Sequence, residues 1–309
     1  MFSLLHTNIA AVSVSLPSYF DRYGRREPVG INNLPITVHE GKPELKYFDL
    51  VNESPKRMNE FMKAMSITNS RVPTIGMYDM SSVLSVARTG RETVWVDIGG
   101  GSGHVVKMFV KEYGYAGLKP SQCVVHELED VVESASKAAQ EDEVLKDVKF
   151  LPLDFHCESP IKGKSSISFP PSSVQRRNMS LTMHLIIGAL VYYLRHIMRD
   201  YSDPVCANIL RNVARSLSSE ARISISEQIN PEDSATTSPQ KPSTQQMYAA
   251  FKDFSMLPIG GKERSFSQCR SVAAAAGLEI ERVHMDPKGT THGVVELKVA
   301  DARGEDVFV

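Results

Sequence analysis

The chain is built around Val94-Trp95-Val96-Asp97-Ile98-Gly99-Gly100-Gly101-Ser102-Gly103. Val94, Trp95 and Val96 form a short apolar, β-favouring run suited to a strand buried on both faces. Asp97 ends that run, and four of the next six residues are glycine. Glycine accepts positive φ and carries no Cβ, so a ligand can approach the backbone closely. The residues that follow, His104 to Lys111, can start a helix whose free N–H groups face the same ligand. Strand, glycine turn and helix predict a nucleotide-type pocket at the strand's carboxyl end.

The glycine spacing does not fit the GxxxxGK[ST] phosphate loop. Alone it suits a dinucleotide fold or a tight turn in an α/β core. Cys123-Val124-Val125-His126-Glu127 narrows the choice. It reads as a second strand ending in a carboxylate, about twenty-odd residues on, where ribose hydroxyls are held. A third strand, Val148–Leu153, ends in Asp154-Phe155, an acid beside an aromatic face for an adenine ring. Together these favour an adenosine ligand.

Composition bounds the rest. A chain of 309 residues can bury a sizeable core and suits one large domain with a smaller element. A net charge of −1 gives no reason to expect nucleic acid or an acidic membrane surface. Cys123, Cys157, Cys206 and Cys269 lack CxxC spacing, so neither a zinc site nor a disulfide framework is indicated. They read as reduced, structural thiols of a cytoplasmic protein. No apolar run reaches transmembrane length, and the start lacks a secretory pattern.

Residues 1–43 show many turn residues and little periodicity. Glu44–Met65 is the first convincing helical region, broken at Pro55 with Ser54 as a cap. Its Met and Phe residues suit a core or the wall of an apolar substrate pocket. A helix is expected over Met80–Arg88. Residues 1–88 are thus read as a helical segment contributing to the substrate pocket, and 89–309 as the ligand-binding domain. From the central strand onward, strands and helices alternate, which predicts a parallel, helix-covered sheet. Val191–Met198 is the fourth strand, Pro204–Ser216 a helix and Ala221–Glu227 the fifth strand. Residues 230–244 read as a mobile loop. Helices around Gln246–Ser255 and Ser267–Ala276 precede two final strands, near Leu278–Met285 and His292–Val299.

Residues 164–188 interrupt the alternation with a Ser- and Pro-rich stretch unusual inside a compact domain. One hypothesis makes it a retained intron. Gly163-Lys164-Ser165, Leu181-Thr182 and Ile187-Gly188 can be encoded by GGTAAGT, CTAAC and ATAGG, in the order of donor, branch and acceptor. Its removal would join Lys162-Gly163 to Ala189-Leu190-Val191.

Four ordered motifs carry a resemblance: Asp97 to Gly103, Tyr193-Leu-Arg-His-Ile-Met-Arg-Asp-Tyr-Ser-Asp203, Ser226-Glu227 and Gly260-Gly-Lys-Glu-Arg-Ser265. From about residue 15 to 300 the chain resembles class I S-adenosylmethionine (SAM)-dependent O-methyltransferases. The likeness is to the branch of the plant caffeic-acid-type enzymes and their fungal relatives. The resemblance implies a seven-stranded Rossmann-like α/β fold with SAM as cofactor. By position, Gly99 and Gly101 would line it beside Asp97. Glu127 would hold the ribose, Asp154 and Phe155 would meet the adenine, and Arg195 would be a basic contact. Glu227 and Glu263 fall at the family's two supporting glutamates. Such enzymes usually begin with a winged-helix dimerisation domain; this sequence starts after it, so a homodimer is not implied.

The family's general-base histidine is replaced by Arg199. A base must accept a proton; arginine stays protonated and only donates. Arg199 could still bind a phenolate or carboxylate that ionises unaided. His196, three residues earlier in a strand, should face away from Arg199 and reads as a packed or surface residue. The Arg199-Asp200 pair resembles a smaller fungal group, the leporin-forming type, that uses this fold for pericyclic reactions with SAM bound but not consumed. That likeness implies His39 and Arg199 as donors polarising the substrate and Asp200 as positioner. The preferred expectation is therefore a pericyclase acting on a polyketide-type small molecule of secondary metabolism. O-Methyl transfer is the alternative, and a catalytically inactive SAM-binding paralogue the second.

Overall fold

The computed structural model describes residues 10–72, 74–80, 83–85, 90–156, 188–232 and 243–300. Four parallel strands form one side of its sheet: β1 (Trp95–Ile98), β2 (Cys123–Glu127), the edge strand β3 (Lys149–Pro152) and β4 (Val191–Arg195). β5 (Arg222–Asn230) extends the parallel set beside β4. A two-residue β6 (Arg264–Ser265) pairs with the end of β5. β7 (Leu278–Met285) and β8 (His292–Val299) close the far edge as an antiparallel hairpin. The order β3-β2-β1-β4-β5-β8-β7 is the expected seven-strand path, and β6 is an addition to it.

Alternation along the strands divides the core into two layers. Val96, Ile98, Tyr192 and Leu194 point to one face. There they meet α7 (Asp203–Ala214), through Cys206, Ile209, Leu210 and Val213, and α9 (Phe266–Ala275). Trp95, Val125 and Tyr193 point to the other, against Val105, Val106 and Phe109 of α5 (His104–Tyr113). The Trp95 ring lies 4.4 Å from Phe109 and 4.8 Å from Tyr193. α6 (Glu129–Ala139) follows β2. Both sheet faces are covered, which is why the central strands are apolar without alternation.

The amino-terminal part is more helical than its sequence suggests. α1 (Ala11–Tyr23) and α2 (Pro35–His39) lie within the stretch of many turn residues and little periodicity. Pro17 inside α1 and the polar Ser13, Ser15 and Ser18 hide its buried face of Val12, Leu16 and Tyr19. α3 (Tyr47–Asn52) and α4 (Pro55–Arg71) are separated at Ser54 and Pro55, as expected. These helices share a third apolar cluster, including Leu16, Ile36, Leu50 and Val51, that reaches Ile259 beyond α8 (Thr244–Met256). Of the helix expected over Met80–Arg88, residues 83–85 are helical, and 81–82 and 86–89 lie outside the described residues. Most of the expected loop at 230–244, and residues 164–187 of the unusual segment, also lie outside them. No helix among the described residues is long and apolar enough to cross a membrane.

Candidate active site at the carboxyl ends of the strands

The glycine turn leaves β1 under tight constraint. Gly99, Gly101 and Gly103 all have positive φ. A Cβ on Gly99 would lie 2.4 Å from Ile197 Cδ1, so that glycine is enforced by packing as well as by φ. Over Gly101 nothing lies within 4 Å, which leaves open space above the turn. Asp97 is buried directly beneath: its Oδ2 would be 2.5 Å from a Cβ on Gly100 and has no hydrogen-bond partner. Burial pushes the Asp97 carboxyl up to about 7, against the pull of Arg195. The Glu127 carboxylate ends β2, accepts the Leu128 N–H at 2.7 Å and is held also by the Gly101 N–H. Phe155 packs beside Gly99, and its ring meets His156 and Tyr201. Asp154 accepts the His156 N–H. Arg195 is buried with Nη2 donating to Val72 O at 3.3 Å. The open turn, the orphaned Asp97 oxygen and the Glu127 carboxylate fit an adenosine cofactor such as SAM.

A second cluster sits on the adjoining strand ends. β4 stops at Arg195, short of the expected Met198. His196 takes a left-handed φ of 56°, and Met198–Asp200 form a 3-10 turn. The strand alternation assumed for His196 therefore fails. Its ring turns into the site: Nδ1 lies 3.9 Å from Glu227 Oε2 and the ring 5.2 Å from that of His292. Both ring nitrogens are buried without hydrogen-bond partners. Burial, then the Arg199 charge, keeps the imidazole neutral well below its usual range.

Arg199 and Glu263 form a buried ion pair at 2.9 Å. Burial disfavours the Arg199 charge, but the carboxylates of Glu263, Asp200 and Glu227 outweigh it and hold the guanidinium above its ordinary value. Burial in turn pushes Glu227 up to about 8 and Asp200 up to about 7. Glu227 Oε1 accepts the backbone N–H groups of Met198 and Arg199 at 3.0 and 3.4 Å. Behind Arg199 and Glu263 only about 30 Å³ remains, lined by Leu210, Val272 and Val295. That is room for about one water. Met256 Sδ also touches Arg199, at 3.3 Å from Nε and 3.2 Å from Nη2.

Arg199, Asp200, Glu227 and Glu263 thus lie together at these strand ends. His39 does not join them. Pro35 starts α2, and its last turn leaves His39 exposed on the amino-terminal layer. There Nδ1 lies 2.9 Å from Ser15 Oγ, and no described hydrogen bond or ion pair links it to Arg199. Three residues were missed from sequence. Arg264 clamps the turn, donating to Met198 O and Tyr201 O at 2.7 Å and to Asp203 at 2.8 Å. Its place in the Gly-Gly-Lys-Glu-Arg motif was the available signal. Met256 and Lys252 stand on the site-facing side of α8, which only a known helix rotation reveals.

Comparison with known proteins bears on this arrangement. Residues 172–279 match the model of an O-methyltransferase domain. The methyltransferase pynC of Aspergillus niger is 30% identical over 290 residues, covering 93% of this chain and 69% of its own. The structure of OxaC superposes with a TM-score of 0.75 at 22% identity, over 97% of this chain and 65% of that one; it is known also bound to S-adenosylhomocysteine (SAH) and oxaline. LepI, described as a pericyclic reaction enzyme and solved with SAM, gives 0.70 at 20% identity, over 96% and 66%. The chain spans about two thirds of the length of these proteins.

Proposed function

Because this chain belongs to the O-methyltransferase family and uses SAM, we propose that it methylates a small molecule that reaches the site already ionised. The observation that carries this reading is the buried Arg199–Glu263 pair at the position of the base. Arginine accepts no proton at neutral pH. Arg199 gives a neutral alcohol no base, and burial makes the neutral His196 beside it a weak one, whereas an acidic enol, phenol or carboxylic acid needs none.

SAM, when bound, supplies a methyl group on a positively charged sulfur. The chain's own residues do the rest. Gly99 and Gly101 give that molecule backbone contact, and Glu127 presents a carboxylate to its ribose. Arg199 offers N–H donors to the acceptor's anionic oxygen, while Glu227 and Arg264 fix the backbone turn that carries it. Met256 packs against the Arg199 guanidinium, and the space behind Glu263 holds no more than about one water. Removing one such donor from a preorganised site typically costs ~3 kcal/mol of transition-state stabilisation.

A second reading, a pericyclic reaction of a polyketide-type metabolite with SAM retained, is favoured by the same donor. It drew on two polarising groups, His39 and Arg199, and only Arg199 lies in the cluster. That placement moves the balance toward methyl transfer.

The purified protein is titrated with SAM and SAH, then incubated with SAM and acidic enols and phenols under mass spectrometry. A product heavier by one methylene, with one SAH formed per product, is expected. An isomeric or dehydrated product with SAM unchanged would replace methyl transfer by the pericyclic reading. Absence of SAM and SAH binding would sink both.

A further inference from the structure

Lys252 is the one site-facing cation without a described ion pair or hydrogen bond from its Nζ. It lies on α8, one turn before Met256, and residues four apart share a helix face. Met256 touches the Arg199 guanidinium, so this face is turned toward the site. Tyr248, one turn earlier still, also acts on the Arg199 charge. The rotation of the helix is pinned from its flank: the Asp253 carboxylate accepts the Glu263 N–H at 2.9 Å, and Met256 O accepts the Gly261 N–H.

Charge and apolar surface are segregated along this face. Arg199 is already paired with Glu263, whereas Lys252 is half-buried beside the pair. Burial and the nearby Arg199 disfavour its ammonium, and Glu263 and Glu227 only partly offset this. A partly desolvated cation beside a second cation gains most from an incoming anion. Tyr248 stands exposed one turn earlier on the same face, and Phe251, exposed, flanks Lys252 on the helix. Met58 and Phe61 of α4 pack against the same amino-terminal cluster as Met256.

We propose that Lys252 binds the anionic head of an amphiphilic acid, beside Arg199, while Tyr248 on the same face and the flanking Phe251 hold its hydrocarbon body. This rests on the reading that the acceptor arrives ionised. The substrate class is thereby narrowed to an enolic, phenolic or carboxylic acid attached to a bulky apolar skeleton. Lys252 acts as its specificity determinant.

The probes are 1-hydroxy-2-naphthoate and the uncharged 1-hydroxy-2-naphthamide, titrated calorimetrically into the SAH complex. The wild type is expected to favour the naphthoate. Lys252→Met and Lys252→Gln should each weaken naphthoate binding about tenfold or more, the scale of one charge-assisted hydrogen bond. Naphthamide affinity should hold, and Lys252→Arg should keep the naphthoate within a few-fold. No wild-type preference for the naphthoate, or an equal loss for both probes in the variants, would overturn the assignment. Because binding needs no turnover, failure here is separable from failure of methyl transfer, which SAH formation reports.

Discussion

Arg199 is buried with a single close carboxylate, and that pairing determines what the residue tolerates. Its side chain is 10% exposed and that of Glu263 is fully buried, so neither charge is relieved by solvent. Removing one partner of such a pair leaves an unpaired buried charge and costs about 3–5 kcal/mol, whereas replacing both can be near neutral. Glu263→Gln is therefore expected to lower stability by about 3 kcal/mol. Arg199→Met combined with Glu263→Gln should recover most of that loss. Urea unfolding of the two single variants and the double variant measures the coupling. Additive losses would show that the pair is not energetically linked. For catalysis, Arg199→His puts a proton acceptor back beside Glu227 and Glu263. It should extend methyl transfer to neutral hydroxyl acceptors while lowering the rate on acidic ones at least tenfold. SAH release across an acceptor series reads both effects, and an unchanged preference would remove Arg199 from the chemistry.

At the scale of elements, the strap Gly260–Ser265 holds the site together. A Cβ on Gly261 would fall 2.1 Å from Arg199 O and 2.9 Å from Asp200 Cα. Both are backbone atoms, so the clash cannot be relieved by a side-chain rotation. The neighbouring Lys262 N–H donates to Arg199 O at 2.9 Å, and Arg264 grips Met198 and Tyr201. Gly261→Ala should push the strap off the turn. A loss of about 2 kcal/mol is expected, the usual scale of overpacking, with a drop in turnover larger than any drop in SAH affinity. The glycine turn that faces the cofactor belongs to β1, a different element. An unchanged melting temperature would refute this role. The same region shows how far sequence carries. β2 was legible because its apolar run ends where pairing ends, and β7 and β8 were found near their observed ranges. β4 was read too long because Ile197 and Met198 continue its apolar run, while the left-handed His196 breaks it. No local signal announced that φ, and the error also misdirected the His196 ring. Arg199, Asp200, Glu227 and Glu263 were found because motifs keep their order along the chain. His39 was placed by chain separation alone, which does not fix a side chain's direction. Lys252 needed the rotation of α8, set by packing between distant segments.

At the scale of the whole molecule, the sheet order leaves room for a connection without residues 164–188. β3 lies at one edge and β4 on the far side of β1, so the chain must pass both β2 and β1. The strands are parallel, so it must also return along their length. At a spacing of about 4.8 Å between strands, that crossing is on the order of 20 Å. Parallel crossovers need about a dozen residues. Without residues 164–188, the connection would keep residues 153–163 and 189–190. Extended, those residues reach roughly 40 Å, ample for the crossing. Leu190 N donates to Val94 O and Arg91 donates to Gly188 O, so β4 is anchored to the start of β1 from its own side. The shortened chain would retain Leu190 and place Gly163 immediately before Ala189. We therefore expect the mature message to lack the codons for 164–188. A protein without them should bind SAH at least as tightly and melt no lower than the full chain. Transcript sequencing and thermal unfolding with SAH check both halves. A continuous message that carries those codons, or a shortened protein that no longer binds SAH, would establish the segment as part of the fold.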